Sequence, residues 1–193
     1  MKDKFYQLLD YVMQAIIVSI IVILGCLSVI GSIYSLMITF VYLQGNLPYK
    51  WKSVLTLQTF IRALGLTILT ALMVFVVIIN VNLSLTMSGL VPFIIMVLCA
   101  IYTFVYFGWL CQMIWESLWE VGTFKLLFQR AMTYTIISLP QMMLWMMGVI
   151  LLGLLTIVFP QLIVLTTGTM VIILERILLS VRNKYNQNLK LEE

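Results

Sequence analysis

The chain has 193 residues, of which 63% are hydrophobic and only 9% are charged, and its mean hydropathy is +1.14. This composition excludes an ordinary soluble domain and is typical of a polytopic membrane protein. The net charge of +4 comes from basic residues that stand singly along the chain, so it does not indicate nucleic-acid binding. We therefore predict an all-α helical membrane bundle of five to six membrane segments, a single domain over residues 1–193 that takes no cofactor.

Charged residues divide the chain into three long uncharged runs, at residues 11–49, 63–115 and 131–174. A hydrocarbon core about 30 Å thick is crossed by about 20 helical residues, so the second and third runs each hold two spans. The first run is too long for one upright helix, and glycines and serines near its middle favour a turn. We expect an uneven hairpin there. The expected segments are residues 5–27, 30–43, 60–81, 89–115, 134–158 and 161–181, followed by a polar tail at 182–193.

The basic residues predict how the segments cross the bilayer. With six segments all eleven Lys and Arg residues face one side, whereas five segments leave Lys2 and Lys4 opposite the other nine. The positive-inside rule favours the first distribution. Breaks at Asn80–Ser84 and Phe159–Gln161 then lie in outer connections that carry no charge. We predict a multi-pass protein of the bacterial cytoplasmic membrane with both termini inside, and a five-span, N-out arrangement is the alternative.

A row of small residues recurs at helical spacings of three and four along the first run. Small side chains let helix backbones approach closely inside a bilayer, and hydroxyl groups can bond across the contact. We interpret the row as a packing face within this protein, and a docking face for another membrane protein is the alternative. Its members are Gly25, Ser28, Ser32, Ser35 and Thr39.

The connector at residues 115–130 combines aromatic and charged side chains. We predict an interfacial helix on the cytoplasmic side, with its aromatic side chains at headgroup level and its end near Pro140, where the next span begins. A helix that binds a partner protein is the alternative. The candidate contact residues are Trp115, Glu116, Trp119, Glu120, Gly122, Phe124, Phe128 and Arg130.

Part of this connector resembles the cytoplasmic coupling loop of ABC-importer permeases. Glu116, Gly122 and residues 137–140 stand in the order of that loop's glutamate, glycine and I-x-L-P element. Serine and leucine replace the loop's two alanines, and the distance from the glycine to the I-x-L-P element is longer. The resemblance implies contact with ABC permease subunits or an ATPase at the cytoplasmic face.

Five features of the sequence follow one another in a distinctive order along the chain. They are the Gly31–Ser35 turn and helix, the basic connector with Phe60 and Arg62, the aromatic span at 102–107, residues 125–140 and Ile172–Arg176 before a basic tail. In this order the chain resembles the YesL-like family of small bacterial membrane proteins, although it lacks the proline that family members often carry in the first break. That family has no established activity, and its genes tend to lie beside carbohydrate-uptake ABC transporters. The resemblance implies a non-enzymatic accessory or permease-like subunit associated with an ABC-type carbohydrate importer.

A channel or carrier for a small neutral solute is the alternative function. The span interiors contain no ionisable residue, which argues against an ion-coupled carrier. We expect Glu116 and Glu175 at interfacial helix ends. A neutral-solute pathway requires a polar cavity near the middle of the bilayer. The side chains available to line it are Gln14, Thr67, Thr70, Gln112 and Gln141.

Overall fold

The computed structural model describes residues 2–26, 31–45, 54–119 and 123–191. These residues form six α-helices, and a single 3₁₀ turn, Pro160–Leu162, precedes the last of them. The helices are α1 Lys2–Cys26, α2 Gly31–Leu43, α3 Leu57–Thr86, α4 Val91–Trp119, α5 Phe124–Val158 and α6 Ile163–Leu191. Every helix except α2 belongs to a segment long and apolar enough to cross a bilayer. The predicted all-α, multi-pass membrane bundle is confirmed.

The helices pack mainly against their neighbours in the chain, and the last helix returns to the first. α3 contacts α4, α4 contacts α5, α5 contacts α6, and α1 contacts both α2 and α6. The short helix α2 also contacts α3, α4 and α6, and its side chains Met37, Thr39 and Phe40 are almost fully buried. With 13 residues, α2 is about 20 Å long, less than the thickness of a bilayer core. It therefore lies inside the bundle as a partial span.

Helices α1 and α6 run antiparallel in close contact. The hydroxyl of Ser19 donates to the backbone carbonyl of Val164, and the guanidinium of Arg176 lies 5.9 Å from the ring centroid of Tyr11. Residues later in α1 therefore contact residues earlier in α6. Consequently α1 begins and α6 ends at the same end of the bundle.

Helix α2 turns back along α1, which is the uneven hairpin that the first uncharged run predicts. Gly25, near the end of α1, lies against Ser35 in α2. Just beyond the other end of α2, the side chain of Gln44 reaches Glu175 of α6, close to the level of Tyr11. The two helices have 25 and 13 residues, so the arms are unequal.

One predicted boundary is wrong because polar side chains bond back to the helix that carries them. The break expected at Asn80–Ser84 lies inside α3, since the Asn80 amide donates to the Val76 carbonyl at 2.9 Å and the Ser84 hydroxyl donates to the Asn80 carbonyl at 2.8 Å. These bonds are compatible with a continuing helix. The turn comes later, at Gly89, whose φ of 101° favours glycine.

The predicted interfacial helix over residues 115–130 is also wrong. Its first part is the last turn of α4, and its second part begins α5 at Phe124, ten residues before the predicted start of that span at 134. Pro140 lies within α5 instead of separating two helices. Hydroxyl groups of Thr135 and Ser138 bond backbone carbonyls in the preceding turn, the kind of local adjustment that lets transmembrane helices contain proline.

Most of the polar tail is helical. Helix α6 continues to Leu191, well past the predicted end of the span at residue 181. Residues 182–191 contain neither glycine nor proline, so no residue in this stretch interrupts the backbone hydrogen bonds. The last helix therefore extends the bundle at its charged end.

Gly168 supplies a test of the contact between α1 and α6. A Cβ at this position would overlap the carbonyl oxygen of Ala15 and the hydroxyl of Ser19. We expect Gly168→Leu to lower the free energy of unfolding in detergent by about 1–3 kcal/mol, the usual cost of overpacking. Gly153→Leu is the matched control, because a Cβ there meets no atom within 4 Å. Equal losses in the two variants would contradict this packing.

Candidate functional site at the charged end of the bundle

A buried carboxylate lies where α2 ends against α6. Glu175 is only 6% exposed, and its Oε1 accepts a hydrogen bond of 3.0 Å from Nε2 of Gln44. The adjacent Arg176 turns toward Tyr11 of α1. An ionisable group inside a membrane bundle is costly to bury and marks a candidate functional position.

A second buried carboxylate lies in the last turn of α4, next to a tryptophan that packs against α2. Glu116 is 1% exposed, and the neighbouring Trp115 packs edge-on against Phe40 with ring centroids 5.4 Å apart. Nη1 of Arg62 lies 3.5 Å from the backbone carbonyl of Ser117, at the limit of a hydrogen bond. Glu116 lies in the last turn of α4, at the helix end where the sequence predicts it, whereas Glu175 lies within α6. Both side chains are buried, so neither is exposed at an interface as expected.

These groups are suited to holding the end of α2 in place. Among the described residues no three His, Cys, Asp or Glu side chains come together as a metal site would require. The contacts that are present join α2 to α6 through an amide and a carboxylate, and α3 to α4 through a guanidinium and a carbonyl. These two contacts thus join two pairs of helices at the charged end of the bundle.

The candidate contact residues of the connector divide between the interior and the surface. Trp115 and Glu116 are buried, so they are not available to a partner. Phe124, Phe128 and Arg130 are exposed at the start of α5, with Phe124 58% exposed. The side chain of Trp119 and residues 120 and 122 lie outside the described residues. Of the described candidates, only those in α5 present a surface.

A groove between α3 and the start of α5 opens beside this surface. It encloses about 550 Å³ and is lined by Ile61, Arg62, Gly65, Leu66, Leu69, Trp109, Phe124 and Phe128. The sequence does not predict this groove, because its walls come from three helices whose rotation the sequence does not specify. The sequence feature that points to the groove is Arg62, which stands one turn before Gly65 at the start of an apolar helix.

The small residues of the first run belong to two helices instead of one face. Gly25 of α1 and Ser35 of α2 meet, and a Cβ on the glycine would overlap the serine side chain. Ser35 and Thr39 are buried and donate to carbonyls of their own helix at 2.8 Å each, while Ser32 is half-buried. Ser28 lies outside the described residues.

The five side chains that were candidates for a solute pathway do not converge. Thr67 and Gln112 are buried, the former bonded to the Ala63 carbonyl and the latter to the Ser138 hydroxyl at 3.3 Å. Thr70 is half-buried and lies 3.0 Å from the hydroxyl of Tyr106. The other two, Gln14 and Gln141, are exposed. The polar cavity predicted from these five residues is not formed.

Comparisons with known protein families, with characterised proteins and with solved structures find no match to this chain. The resemblance to the YesL-like family and to the permease coupling loop therefore stays a prediction from the residues that carry it.

The hydrogen bond between Gln44 and Glu175 is testable by a double-mutant cycle. Gln44→Leu alone deprives a buried carboxyl group of its donor, which we expect to lower the free energy of unfolding by about 1–3 kcal/mol. In a Glu175→Leu background the same change costs less, because both partners are then apolar. Gln14→Leu, at an exposed position of α1, serves as the control and causes no loss. Additive effects of the two leucine substitutions would contradict the interaction.

Proposed function

We propose that this protein is a non-enzymatic accessory or permease-like subunit of an ABC-type carbohydrate importer in a bacterial cytoplasmic membrane. Its charged end faces the cytoplasm, as the positive-inside rule favours, and contacts a permease subunit or its ATPase there. The family resemblance and the order of residues in the connector support this choice of partner.

One observation carries the proposal. At the charged end, the first two turns of α5 expose a mixed aromatic and basic surface, with Phe124 and Phe128 beside Lys125 and Arg130. Aromatic residues and arginine are enriched where proteins bind one another. Leu127 and Ala131 of the same helix are fully buried, so this surface sits on a helix that is packed into the bundle. These features favour a fixed contact patch over a mobile loop.

The interior of the bundle supports a binding role over a transport role. Thr67 and Gln112 are sealed in the packing, whereas Gln14 and Gln141 face away from the bundle. A neutral solute that crosses a membrane protein needs convergent polar groups along its path. The polar side chains of the spans do not provide that arrangement, so we propose no solute pathway.

Co-purification tests the proposed contact. We expect a tagged copy of the wild-type chain to recover permease subunits of the importer from detergent-solubilised membranes. Phe124→Ala should lower the recovery about tenfold or more, because truncating an aromatic anchor at an interface costs about 2 kcal/mol or more.

Phe159→Ala is the matched control for this experiment. Its side chain is 53% exposed, close to the 58% of Phe124, but it lies at the uncharged end of the bundle. Recovery with this variant should equal that of the wild type. The proposal fails if the wild-type protein purifies without importer subunits and deletion of its gene leaves carbohydrate uptake unchanged.

A further inference from the structure

The groove between α3 and the start of α5 has the shape of a ligand site at a bilayer interface. Its volume of about 550 Å³ falls within the range of about 300–1,000 Å³ that is usual for small-molecule sites. Towards the charged end it continues into a shallower depression that shares Ile61, Arg62 and Phe124 with it. The groove thus runs from the charged end of the bundle down into its apolar part.

The deep part of the groove is apolar and has room for a chain. Gly65 forms part of its wall, and a Cβ at this position would meet no atom within 4 Å. Leu69 lies four residues further along α3, and the ring of Phe128 faces Trp109 across 5.3 Å between centroids. From Arg62 to Leu69 the wall of α3 is about 10 Å long, at 1.5 Å per helical residue.

One charged side chain stands at the mouth of this otherwise apolar groove. Arg62 lies at its charged end and already contacts the Ser117 carbonyl, but a guanidinium carries five N–H donors and can serve several partners. Trp109 lines the deep end, level with Leu69, because the neighbouring Thr70 lies 3.0 Å from the hydroxyl of Tyr106. The groove therefore has a cationic mouth and an apolar, aromatic floor.

We propose that this groove binds one anionic phospholipid of the surrounding bilayer. The phosphate lies at Arg62, and an acyl chain follows Gly65 and Leu69 toward Trp109. The groove matches the order of these groups along a phospholipid, with the anion at the charged end and the hydrocarbon in the apolar part. Basic pockets between membrane helices bind anionic headgroups in this way. Arginine suits the phosphate because its planar fork donates two parallel hydrogen bonds.

Native mass spectrometry of the full chain in detergent tests the proposal, with phosphatidylglycerol and phosphatidylcholine titrated separately. The wild type should bind a first phosphatidylglycerol about tenfold more tightly than a first phosphatidylcholine. Arg62→Gln should abolish this preference, since the loss of one charge-assisted contact corresponds to about tenfold. Gly65→Leu fills the groove and should weaken both lipids about tenfold.

Two variants outside the groove serve as controls. Gly153→Leu adds the same side chain at a glycine that is equally open, and Arg176→Gln removes a guanidinium that faces Tyr11. Both should bind phosphatidylglycerol like the wild type.

Three results would overturn the proposal. The first is equal affinity of the wild type for the two lipids, or unchanged binding by Gly65→Leu. The second is displacement of the lipid by glycerol phosphate at equal concentration, which would assign the groove to a soluble anion. The third is a stable dimer that buries Gly65 and retains no lipid, which would assign the groove to a second copy of the chain.

Discussion

The close approach of the first helix to the last determines the architecture. Gly168 leaves the space into which the backbone of α1 fits at Ala15, and the hydroxyl of Ser19 bonds across the contact. In a bilayer there is little hydrophobic force between helices, so such small-residue contacts and interhelical bonds decide which helices associate. Because α1 and α6 are antiparallel, both ends of the chain lie at the same end of the bundle. Five long helices alone would place them at opposite ends, so the chain needs one additional return. The short helix α2 is that return, and it is held inside the bundle by contacts with α1, α3, α4 and α6.

This architecture separates the bundle into two chemically different ends. The connections at 87–90 and 159–162 carry no charge, whereas charged residues gather where α1 begins and α6 ends. At the charged end two carboxylates, Glu116 and Glu175, are buried in the protein, and Glu175 is bonded to Gln44 just beyond the end of α2. The start of α5 exposes Phe124 and Phe128 at the same end. The groove beside it adds a place where the bilayer itself can contribute a ligand.

The features that depend on hydrophobicity could be predicted from the sequence, and those that depend on helix register could not. The uncharged runs predict the number of long helices and the position of the hairpin, because charged side chains are costly in hydrocarbon. Asn80 and Ser84 do not form the predicted break, since polar side chains can bond either to water or back to their own helix. Burial of Glu116 and the walls of the groove depend on how α3, α4 and α5 are rotated against one another. Gly168 was overlooked for the same reason, as its partner lies almost the whole chain away.

The most direct measurement is the sidedness of both chain ends. Lys4→Cys and Lys184→Cys, each placed in a chain whose three native cysteines are replaced, should react with a membrane-impermeant maleimide from the same side of sealed vesicles. Ser88→Cys, in the connection between α3 and α4, should react only from the other side. Labelling of the two terminal positions from opposite sides would contradict the antiparallel pairing of α1 with α6.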